Sequence, residues 1–257
     1  MIPYNTITAW GATHPWITRE QIEQDLLLSK AIIDIYSNEM LSEELVFRGG
    51  TALHKLVMPQ PIRYSEDLDF VRTSAGGIGE ILNTLRDIGS QSGFTVKTKM
   101  GQFPKLFWSC NAQTGRNIKI KIEINTYERS PALPLAETTH SISTDWFSDA
   151  AAVKMFQNEE MAATKLRALY QRTKGRDLLD LWLMTNVVGI NAELVCEAFS
   201  TYRPDGFTAN MAIKNLENKL HDALFRSDID NLISVGLSDY DMESAAAQII
   251  DLYLTKL

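Results

Sequence analysis

Hydrophobic and polar residues alternate without a break in residues 117–126, where four isoleucines at every second position are separated by polar side chains. A period of two residues is typical of a β-strand with one buried face. Earlier in the chain the period changes to that of a helix. Thr18 and Gln21 form a capping-box pattern that opens a helix to about residue 40, with an apolar stripe that includes Ile22 and Leu26.

Other elements are predicted on both sides of the alternating strand. Residues 66–72 have the composition of a buried strand, residues 79–91 that of a helix, and residues 93–100 and 104–109 that of a hairpin. After a proline-containing loop, helices are predicted at 157–173, 177–187, 191–200, 208–225 and 241–255. The pattern therefore predicts helix, then a strand-rich middle, then helices, with a domain boundary around 140–156.

Length and composition narrow the class of protein. The chain has 257 residues, enough for one large domain or two modest ones, and its 45% hydrophobic fraction is ordinary for a globular protein. Cys110 and Cys196 lie too far apart to form a metal or disulfide motif, which favours a reducing compartment. There is no signal-peptide pattern and no apolar run of roughly 18 residues. We therefore expect a cytoplasmic protein with no membrane association.

Charge is distributed unevenly along the chain. Residues 1–46 carry two basic and seven acidic residues, and residues 187–257 carry five basic and eleven acidic residues. In contrast, residues 95–125 carry six basic residues and one acid, and residues 165–180 carry five basic residues and two acids. Basic segments in an acidic chain favour a local anionic ligand over a DNA-coating role, although each segment alone is also compatible with a solvated surface.

Two aspartates stand in the predicted strand at 66–72. Asp67 and Asp69 are two positions apart, so their side chains project from the same face. The two carboxylates repel each other unless a cation lies between them. Glu123, on the polar face of the alternating strand, supplies a third carboxylate if the two strands are neighbours. Oxygen ligands of this kind suit Mg²⁺ better than zinc, although an Asp-x-Asp pair also occurs at turns and strand ends.

A Gly-Gly-Thr turn precedes the acidic strand. Gly49 and Gly50 allow a ligand to approach the backbone closely, and a helix at 51–57 capped by Thr51 directs free N–H groups at an anion. These features predict a phosphate cradle, although the spacing is not that of a Walker loop. The alternative is a glycine turn that only packs a helix on a sheet.

A third group of charged residues lies at 158–182. Lys165 and Arg172 fall on one helical face, with Gly175 as the predicted helix stop and Asp177 as the predicted cap of the next helix. Two cations on a rigid face are suited to gripping a triphosphate. Alternatively, they pair with Asp177 and Asp180 in a salt bridge that locks the two helices together.

Three segments in this order and spacing resemble one family. The segments FRGGTALHKL, RYSEDLDF and KLRALYQRTKGRDLLDLW resemble the AbiEii/AbiGii nucleotidyltransferase toxins, a branch of the DNA polymerase beta-type nucleotidyltransferase superfamily, over roughly residues 16–185. The resemblance implies an α/β (α+β) fold with a nucleotidyltransferase-type mixed sheet flanked by helices. Residues 1–150 would form the nucleotidyltransferase core and residues 151–257 a helical domain.

The same resemblance implies an activity and partners. Members are toxins of type IV toxin–antitoxin and abortive-infection systems, each paired with a separately encoded antitoxin. They use Mg²⁺ and an NTP, and some transfer the nucleotide to the acceptor end of tRNA. The alternatives are a nucleotidyltransferase that acts on a protein or a small molecule, and an inactive NTP-binding or partner-binding module.

Functional residues follow from matching motif positions. The resemblance assigns Asp67 and Asp69 to metal binding. Glu123 would take the place of the superfamily's third carboxylate, an assignment that rests on the strand alternation and not on a matched motif. The resemblance also assigns the nucleotide-binding residues Gly49, Gly50, Thr51, Ser65, Lys165, Arg172 and Arg176, and the catalytic residues Asp67, Asp69, Lys165, Asp177 and Glu123. His54 departs from the small polar residue usual in the family, and no motif is visible after about residue 187.

Two hypotheses concern regulation and the acceptor. A phosphate on Ser65 would place negative charge next to the metal carboxylates and switch the enzyme off; alternatively, Ser65 only supports the turn before the strand. Lysines on the strand-rich segment favour RNA as the acceptor, whereas the acidic flanking segments favour an acceptor that is not a nucleic acid. These lysines are Lys97, Lys99, Lys105, Lys119 and Lys121.

Overall fold

The computed structural model describes residues 2–233 and 237–257, and the chain divides into two compact units. The first unit comprises the residues up to Pro131 together with Leu135–Phe156. The second comprises Ala132–Pro134 together with Gln157–Leu257. The boundary expected after residue 150 falls inside the last strand of the first unit, so that unit extends to the end of this strand.

A seven-stranded mixed sheet forms the first unit. Its strands are β1 (Leu45–Arg48), β2 (Asp67–Arg72), β3 (Thr95–Lys99), β4 (Lys105–Asn111), β5 (Asn117–Asn125), β6 (Ala136–Ser143) and β7 (Ser148–Met155), in the spatial order β3-β4-β5-β2-β1-β7-β6. β2 pairs in parallel with β5, and β1 in parallel with β7, whereas the other neighbours are antiparallel. The expected mixed sheet is confirmed.

Five helices accompany the sheet. They are α1 (Tyr4–Thr13), α2 (Arg19–Tyr36), α3 (Glu39–Glu44), α4 (Gly49–Ala52), which continues as a π-helical turn (Leu53–Val57), and α5 (Gly79–Gln91). The predicted capping box at the start of α2 is present, because Thr18 accepts a hydrogen bond from the Gln21 backbone and the Gln21 side chain accepts one from the Thr18 backbone. The helix ends at Tyr36, four residues before the expected position, and α3 follows.

The alternation along β5 separates two faces of the sheet. Ile118, Ile120, Ile122 and Ile124 are fully buried, whereas Lys119 is exposed and Lys121 and Glu123 are partly exposed. The same separation continues on β4, where Leu106 and Trp108 are buried. One face of the sheet therefore packs in the core, and the opposite face carries the charged side chains.

Four elements of the first unit were missed or misplaced from the sequence. β6 and β7 lie where the sequence suggested only a loop, because the segment Ala150–Ala152 has three alanines and gives no clear period of two. β1 is a continuous apolar run of four residues, which has no period of its own. The helix α1 was not predicted.

Helices build the second unit. They are α6 (Asn158–Gln171), α7 (Gly175–Leu183) with a π-helical turn (Met184–Val188), α8 (Ala192–Tyr202), α9 (Ala209–Leu220), α10 (Ala223–Ser227), α11 (Met242–Leu252) and a 3-10 turn (Leu254–Lys256). The helix expected at 208–225 is divided, because Asp222 caps α10 with its side chain. The other expected helices are present.

A buried glutamate joins the short segment 132–134 to these helices. Glu160 is fully buried and accepts hydrogen bonds from the backbone N–H of Ala132 (2.7 Å) and Leu133 (3.2 Å) and from the hydroxyl of Tyr202. A buried carboxylate needs such donors, because an unsatisfied one would oppose folding. Within residues 2–233 and 237–257, no helix has the length and apolar character needed to cross a bilayer.

Candidate active site

The glycine turn lies against the acidic strand. Gly49 follows β1 directly and has φ +86, a backbone conformation that L side chains rarely adopt. A Cβ atom at Gly49 would lie 2.6 Å from the Asp69 carboxylate oxygen Oδ2, and a Cβ atom at Gly50 would lie 2.6 Å from a guanidinium nitrogen of Arg63. Both glycines are therefore needed for the close approach of β2 and the segment before it.

Thr51 holds the two sides of this turn together. Its hydroxyl donates to the backbone carbonyl of Asp67 (2.5 Å) and lies 2.9 Å from the hydroxyl of Ser65. The expected role of Thr51 as helix cap is wrong: the helix begins at Gly49, and Arg48 stands in the cap position without a side-chain hydrogen bond. The Thr51 side chain fixes the start of β2 instead.

The strand register brings three carboxylates into neighbouring positions. Asp67 lies opposite Lys121, and Asp69 lies opposite Glu123, in the parallel pair of β2 and β5. Directly paired residues share a face of a sheet, so the charged face that carries Lys121 and Glu123 also carries both aspartates. A third carboxylate from Glu123 requires that its strand lie next to the acidic strand, and β5 is indeed the neighbour of β2.

Two lysines neutralise two of these acids. Lys121 Nζ lies 2.7 Å from Asp67 Oδ2 and 3.8 Å from Glu123 Oε2, and Lys105 Nζ lies 2.8 Å from Glu123 Oε2. Burial acts to lower the pKa of Lys121, but its hydrogen bond and attraction to Asp67 outweigh burial, so the pKa is raised. The sequence predicts both lysines only as RNA contacts, since their pairing with the acids depends on a strand register that the sequence does not reveal.

Asp69 differs from its two neighbours. Among the described residues it has no ion-pair partner, and it lies against the glycine turn. Burial, and then the charge of Asp67, raise the pKa of Asp69, and the opposite effects of Lys121 and Arg48 do not cancel this rise. Negative charge at this position is therefore incompletely compensated.

The fit of these acids to a divalent cation follows from that imbalance. In the part of the chain that the structure describes, no three acidic, histidine or cysteine side chains converge closely enough to form a metal cluster. However, Asp67 and Asp69 offer oxygen ligands side by side, and a cation would neutralise the charge that Asp69 leaves uncompensated. The Asp67 and Asp69 carboxylates therefore fit Mg²⁺. Glu123 forms an ion pair with Lys105, and its role as a metal ligand stays a prediction.

The second group of predicted residues lies within the helical unit. Arg172 binds Asp177 with two hydrogen bonds of 2.7 Å. Lys165 Nζ lies 2.6 Å from Asp180 Oδ2 and 3.4 Å from Asp177 Oδ1, and both aspartates are completely buried. Arg176 Nε lies 3.5 Å from Asp228 Oδ2. This is the geometry of the helix-locking salt bridge, and a nucleotide-binding role for these cations stays a prediction.

Three local expectations for this segment are wrong. α6 ends at Gln171, so Arg172 is extended and does not continue the helical face of Lys165. Gly175 does not stop that helix but begins α7, where a Cβ atom would lie 2.2 Å from the carbonyl oxygen of Phe225. Asp177 does not cap α7; it lies in the first turn, where its charge favours the helix N-terminus.

The order of these segments in the chain agrees with a known family. Residues 32–247 match the model of the family described as "Nucleotidyl transferase AbiEii toxin, Type IV TA system". The chain belongs to this family. It is therefore a nucleotidyltransferase, and the family implies an NTP substrate, a cognate antitoxin and a toxin's role in a type IV toxin–antitoxin system.

One solved toxin structure shares the fold of this AbiEii-family chain. MenT4, a nucleotidyltransferase toxin from Mycobacterium tuberculosis, is 18% identical and has a TM-score of 0.67, with 98% of this chain and 90% of that chain covered. A nucleotidyltransferase-like protein from Paracoccidioides brasiliensis is 21% identical with a TM-score of 0.46, over 77% of this chain and 92% of that chain. None of the curated proteins that were compared matches the sequence.

Proposed function

We propose that this nucleotidyltransferase uses Mg²⁺ and transfers NMP from an NTP to the 3′ end of tRNA. The observation that carries the acceptor proposal is the register across four strands. Lys97 pairs with Phe107, Phe107 with Lys121, and Lys121 with Asp67. These four side chains therefore share one face of the sheet and run from the edge strand β3 to the acids.

A second row of charges runs beside the first. Lys99 pairs with Lys105, Lys105 with Glu123, and Glu123 with Asp69. Lys99 is exposed at the edge strand, whereas Lys105 is partly buried beside Glu123. The positive charge is thus greatest at the edge of the sheet and decreases toward the acids. This arrangement suits an RNA whose phosphate backbone lies on the lysines and whose end approaches Asp67 and Asp69.

An aromatic ring lies within this basic surface. Phe107 is partly exposed, and Lys119 Nζ lies 4.2 Å from the centre of its ring. Proteins that bind single-stranded nucleic acid combine aromatic rings, on which bases stack, with cations that contact the phosphates. The 3′ end of tRNA is single-stranded, so this combination supports it as the acceptor better than a small molecule does.

The metal part of the proposal rests on Asp67 and Asp69. When bound, Mg²⁺ would neutralise charge on the triphosphate and on the departing pyrophosphate. Asp67 and Asp69 would hold the ion, Lys121 orients the Asp67 carboxylate, and the Gly49 backbone leaves room beside Asp69. An inactive module is a weaker alternative, because the uncompensated Asp69 charge would then oppose folding without serving a reaction.

The acceptor is tested with labelled substrate and matched charge variants. Purified protein is incubated with each α-labelled NTP, Mg²⁺, total RNA and total protein. Label is expected in RNA and not in protein or small molecules. Lys97→Glu combined with Lys119→Glu should reduce RNA labelling at least tenfold and leave NTP affinity unchanged, because both lysines are exposed and their partners on β4 are Phe107 and Ser109, not acids.

The control variant is Lys214→Glu, which changes the same charge on an exposed position of α9 in the helical unit. It should leave RNA labelling within about twofold of the wild type. RNA labelling should also weaken steeply with added salt, since phosphate contacts release counterions. Label found only on protein, or equal losses in the control, would overturn RNA as the acceptor.

A further inference from the structure

A further cation, Arg48, lies beside the acidic strand. It is the last residue of β1 and lies opposite Asp69 in the antiparallel pair of β1 and β2. Directly paired residues share a face of a sheet, so the Arg48 side chain leaves the backbone on the face that carries Asp69. Burial raises the pKa of Asp69, and the charges of Lys121 and Arg48 counteract this rise. Lys121 lies on the β5 side of the acids, and Arg48 therefore supplies positive charge on the β1 side.

Arg48 also adjoins the glycine turn. Gly49 follows it directly in the chain, and a Cβ atom at Gly49 would lie 2.6 Å from Asp69 Oδ2. The backbone that begins at Arg48 thus passes against one of the two carboxylates that fit a divalent cation. A triphosphate that lies on this turn beside Asp67 and Asp69 therefore comes within reach of the Arg48 guanidinium.

Glu128 is the ion-pair partner of Arg48. Arg48 Nη1 lies 2.8 Å from Glu128 Oε2, and the two side chains are 15% and 26% exposed. The side-chain amide of Asn125 donates to the same Glu128 oxygen (2.9 Å). Asn125 Oδ1 in turn accepts hydrogen bonds from the backbone N–H groups of Tyr127 and Glu128. The turn after β5 therefore fixes the Glu128 carboxylate, and this carboxylate directs the Arg48 guanidinium.

The chemistry of this ion pair favours an exchange of partners. Both side chains are in contact with solvent, and an ion pair of that kind contributes little free energy. A triphosphate carries more negative charge than a carboxylate, and a guanidinium binds phosphate oxygens with two parallel hydrogen bonds. Arg48 can therefore leave Glu128 for a triphosphate at a small cost.

We propose that Arg48 binds the triphosphate of the NTP and stabilises the departing pyrophosphate, with Glu128 as its competing partner between turnovers. In the transfer, the acceptor hydroxyl oxygen bonds to the α-phosphorus and its proton passes to solvent. The bond from the α-phosphorus to the bridging oxygen of the β-phosphate breaks, and pyrophosphate leaves with the bonding electrons. The guanidinium neutralises part of the resulting charge. The inference rests on the proposed site at Asp67 and Asp69, but not on RNA as the acceptor.

Calorimetric titration with inorganic triphosphate and Mg²⁺, without any acceptor, tests this role of Arg48. Arg48→Gln should weaken binding at least tenfold, because it removes a charge-assisted hydrogen bond. Glu128→Gln keeps the shape of the side chain and an oxygen that can accept from Asn125, but it removes the competing charge. Glu128→Gln should therefore strengthen binding about two- to fivefold.

These opposite signs separate a substrate contact from a structural role. Both variants remove the same ion pair, so an arginine that only anchors the turn after β5 would give two changes in the same direction. Arg48→Lys keeps the charge without the planar fork, and its affinity should lie between those of the wild type and Arg48→Gln. The control is Arg116→Gln, the same change at an exposed arginine just before β5, which should leave the affinity unchanged.

Melting temperatures show whether the variants fold. Neither Arg48→Gln nor Glu128→Gln should shift the melting temperature by more than about 4 °C, since their ion pair is partly exposed. If Arg48→Gln does not fold, the sign of the change in Glu128→Gln decides alone: stronger triphosphate binding supports the inference and weaker binding overturns it.

Three other results would overturn the role of Arg48. They are wild-type affinity in Arg48→Gln, weakened binding in both variants, and no binding of triphosphate by the wild type at millimolar concentration. RNA that stays unlabelled in the transfer assay would overturn the acceptor and leave these affinities unchanged. The two proposals therefore fail separately.

Discussion

Replacing Asp69 by asparagine should make the metal-free protein more stable. Asp69 is partly buried beside Asp67 and has no ion pair of its own among the described residues, so its negative charge opposes folding. Asparagine has nearly the same shape and removes the charge. Most substitutions in a core strand destabilise, so a gain in stability would be an informative result.

The magnitude follows from the strand geometry. Side chains two residues apart on one strand are separated by roughly 6.6 Å, and two unit charges at that distance repel by about 2.5 kcal/mol at an effective dielectric constant of about 20. Lys121 neutralises part of the charge of Asp67, which reduces this repulsion. We therefore expect a gain of about 1–2 kcal/mol, or a melting temperature higher by about 2–8 °C.

The effect should depend on pH with a defined sign. The pKa of Asp69 is raised in the folded state above its usual value of 3.8, so ionisation is less favourable in the folded than in the unfolded chain. The wild type therefore loses stability as the pH rises from the unfolded pKa through the folded pKa. The advantage of Asp69→Asn should therefore grow as the pH rises through the folded pKa of Asp69, and it should disappear below the unfolded pKa of about 4.

Thermal and urea unfolding at several pH values, with and without Mg²⁺ and a non-hydrolysable NTP, measure this effect. The ligands should stabilise the wild type and have little effect on Asp69→Asn. The control is Asp67→Asn, which leaves Lys121 without its nearest partner and should be neutral or slightly destabilising. A lower melting temperature of metal-free Asp69→Asn at pH 7 would refute the reasoning.

Three further substitutions test the turn, the helix lock and the proposed switch. Gly49→Ala should lower the free energy of unfolding by about 2–3 kcal/mol, since it adds strain at positive φ and a clash with Asp69. The control Gly79→Ala, in open space at the start of α5, should be neutral or stabilising. Urea unfolding measures both variants. Lys165→Ala should destabilise by about 3 kcal/mol, because it removes the ammonium group that lies 2.6 Å from the completely buried Asp180 carboxylate; an unchanged melting temperature would argue against the lock. Ser65→Glu should weaken NTP binding at least tenfold, whereas Ser65→Ala should not; full transfer activity of Ser65→Glu would rule out the phosphorylation hypothesis.

The alternating strand shows what the sequence could predict about the fold. In β5 the alternation of the sequence predicts which side chains are buried as far as Ile124, whereas the polar Asn125 at the end of the strand is also buried. The same local information gave the capping box of α2 and the bounds of α5. It failed for β1, whose position in the centre of the sheet depends on pairing with strands distant in the chain.

In the candidate site too, local patterns were predictable from the sequence and long-range pairing was not. The glycine turn and the Asp-x-Asp pair were predictable, because each is a local pattern with a physical reason. The ion pair of Lys121 with Asp67 and the lack of one for Asp69 depend on the register of two strands that lie about fifty residues apart. No local pattern specifies that register, so the electrostatics of the site could not be predicted.

The most direct test of the account uses RNA with and without a reactive 3′ end. Periodate oxidation destroys the terminal ribose diol of tRNA and leaves the rest of the molecule intact. With Mg²⁺ and labelled NTP, the wild type should label intact tRNA and not oxidised tRNA, and Asp67→Asn should label neither, with a loss of at least a hundredfold. Equal labelling of intact and oxidised tRNA, or undiminished labelling by Asp67→Asn, would contradict the account.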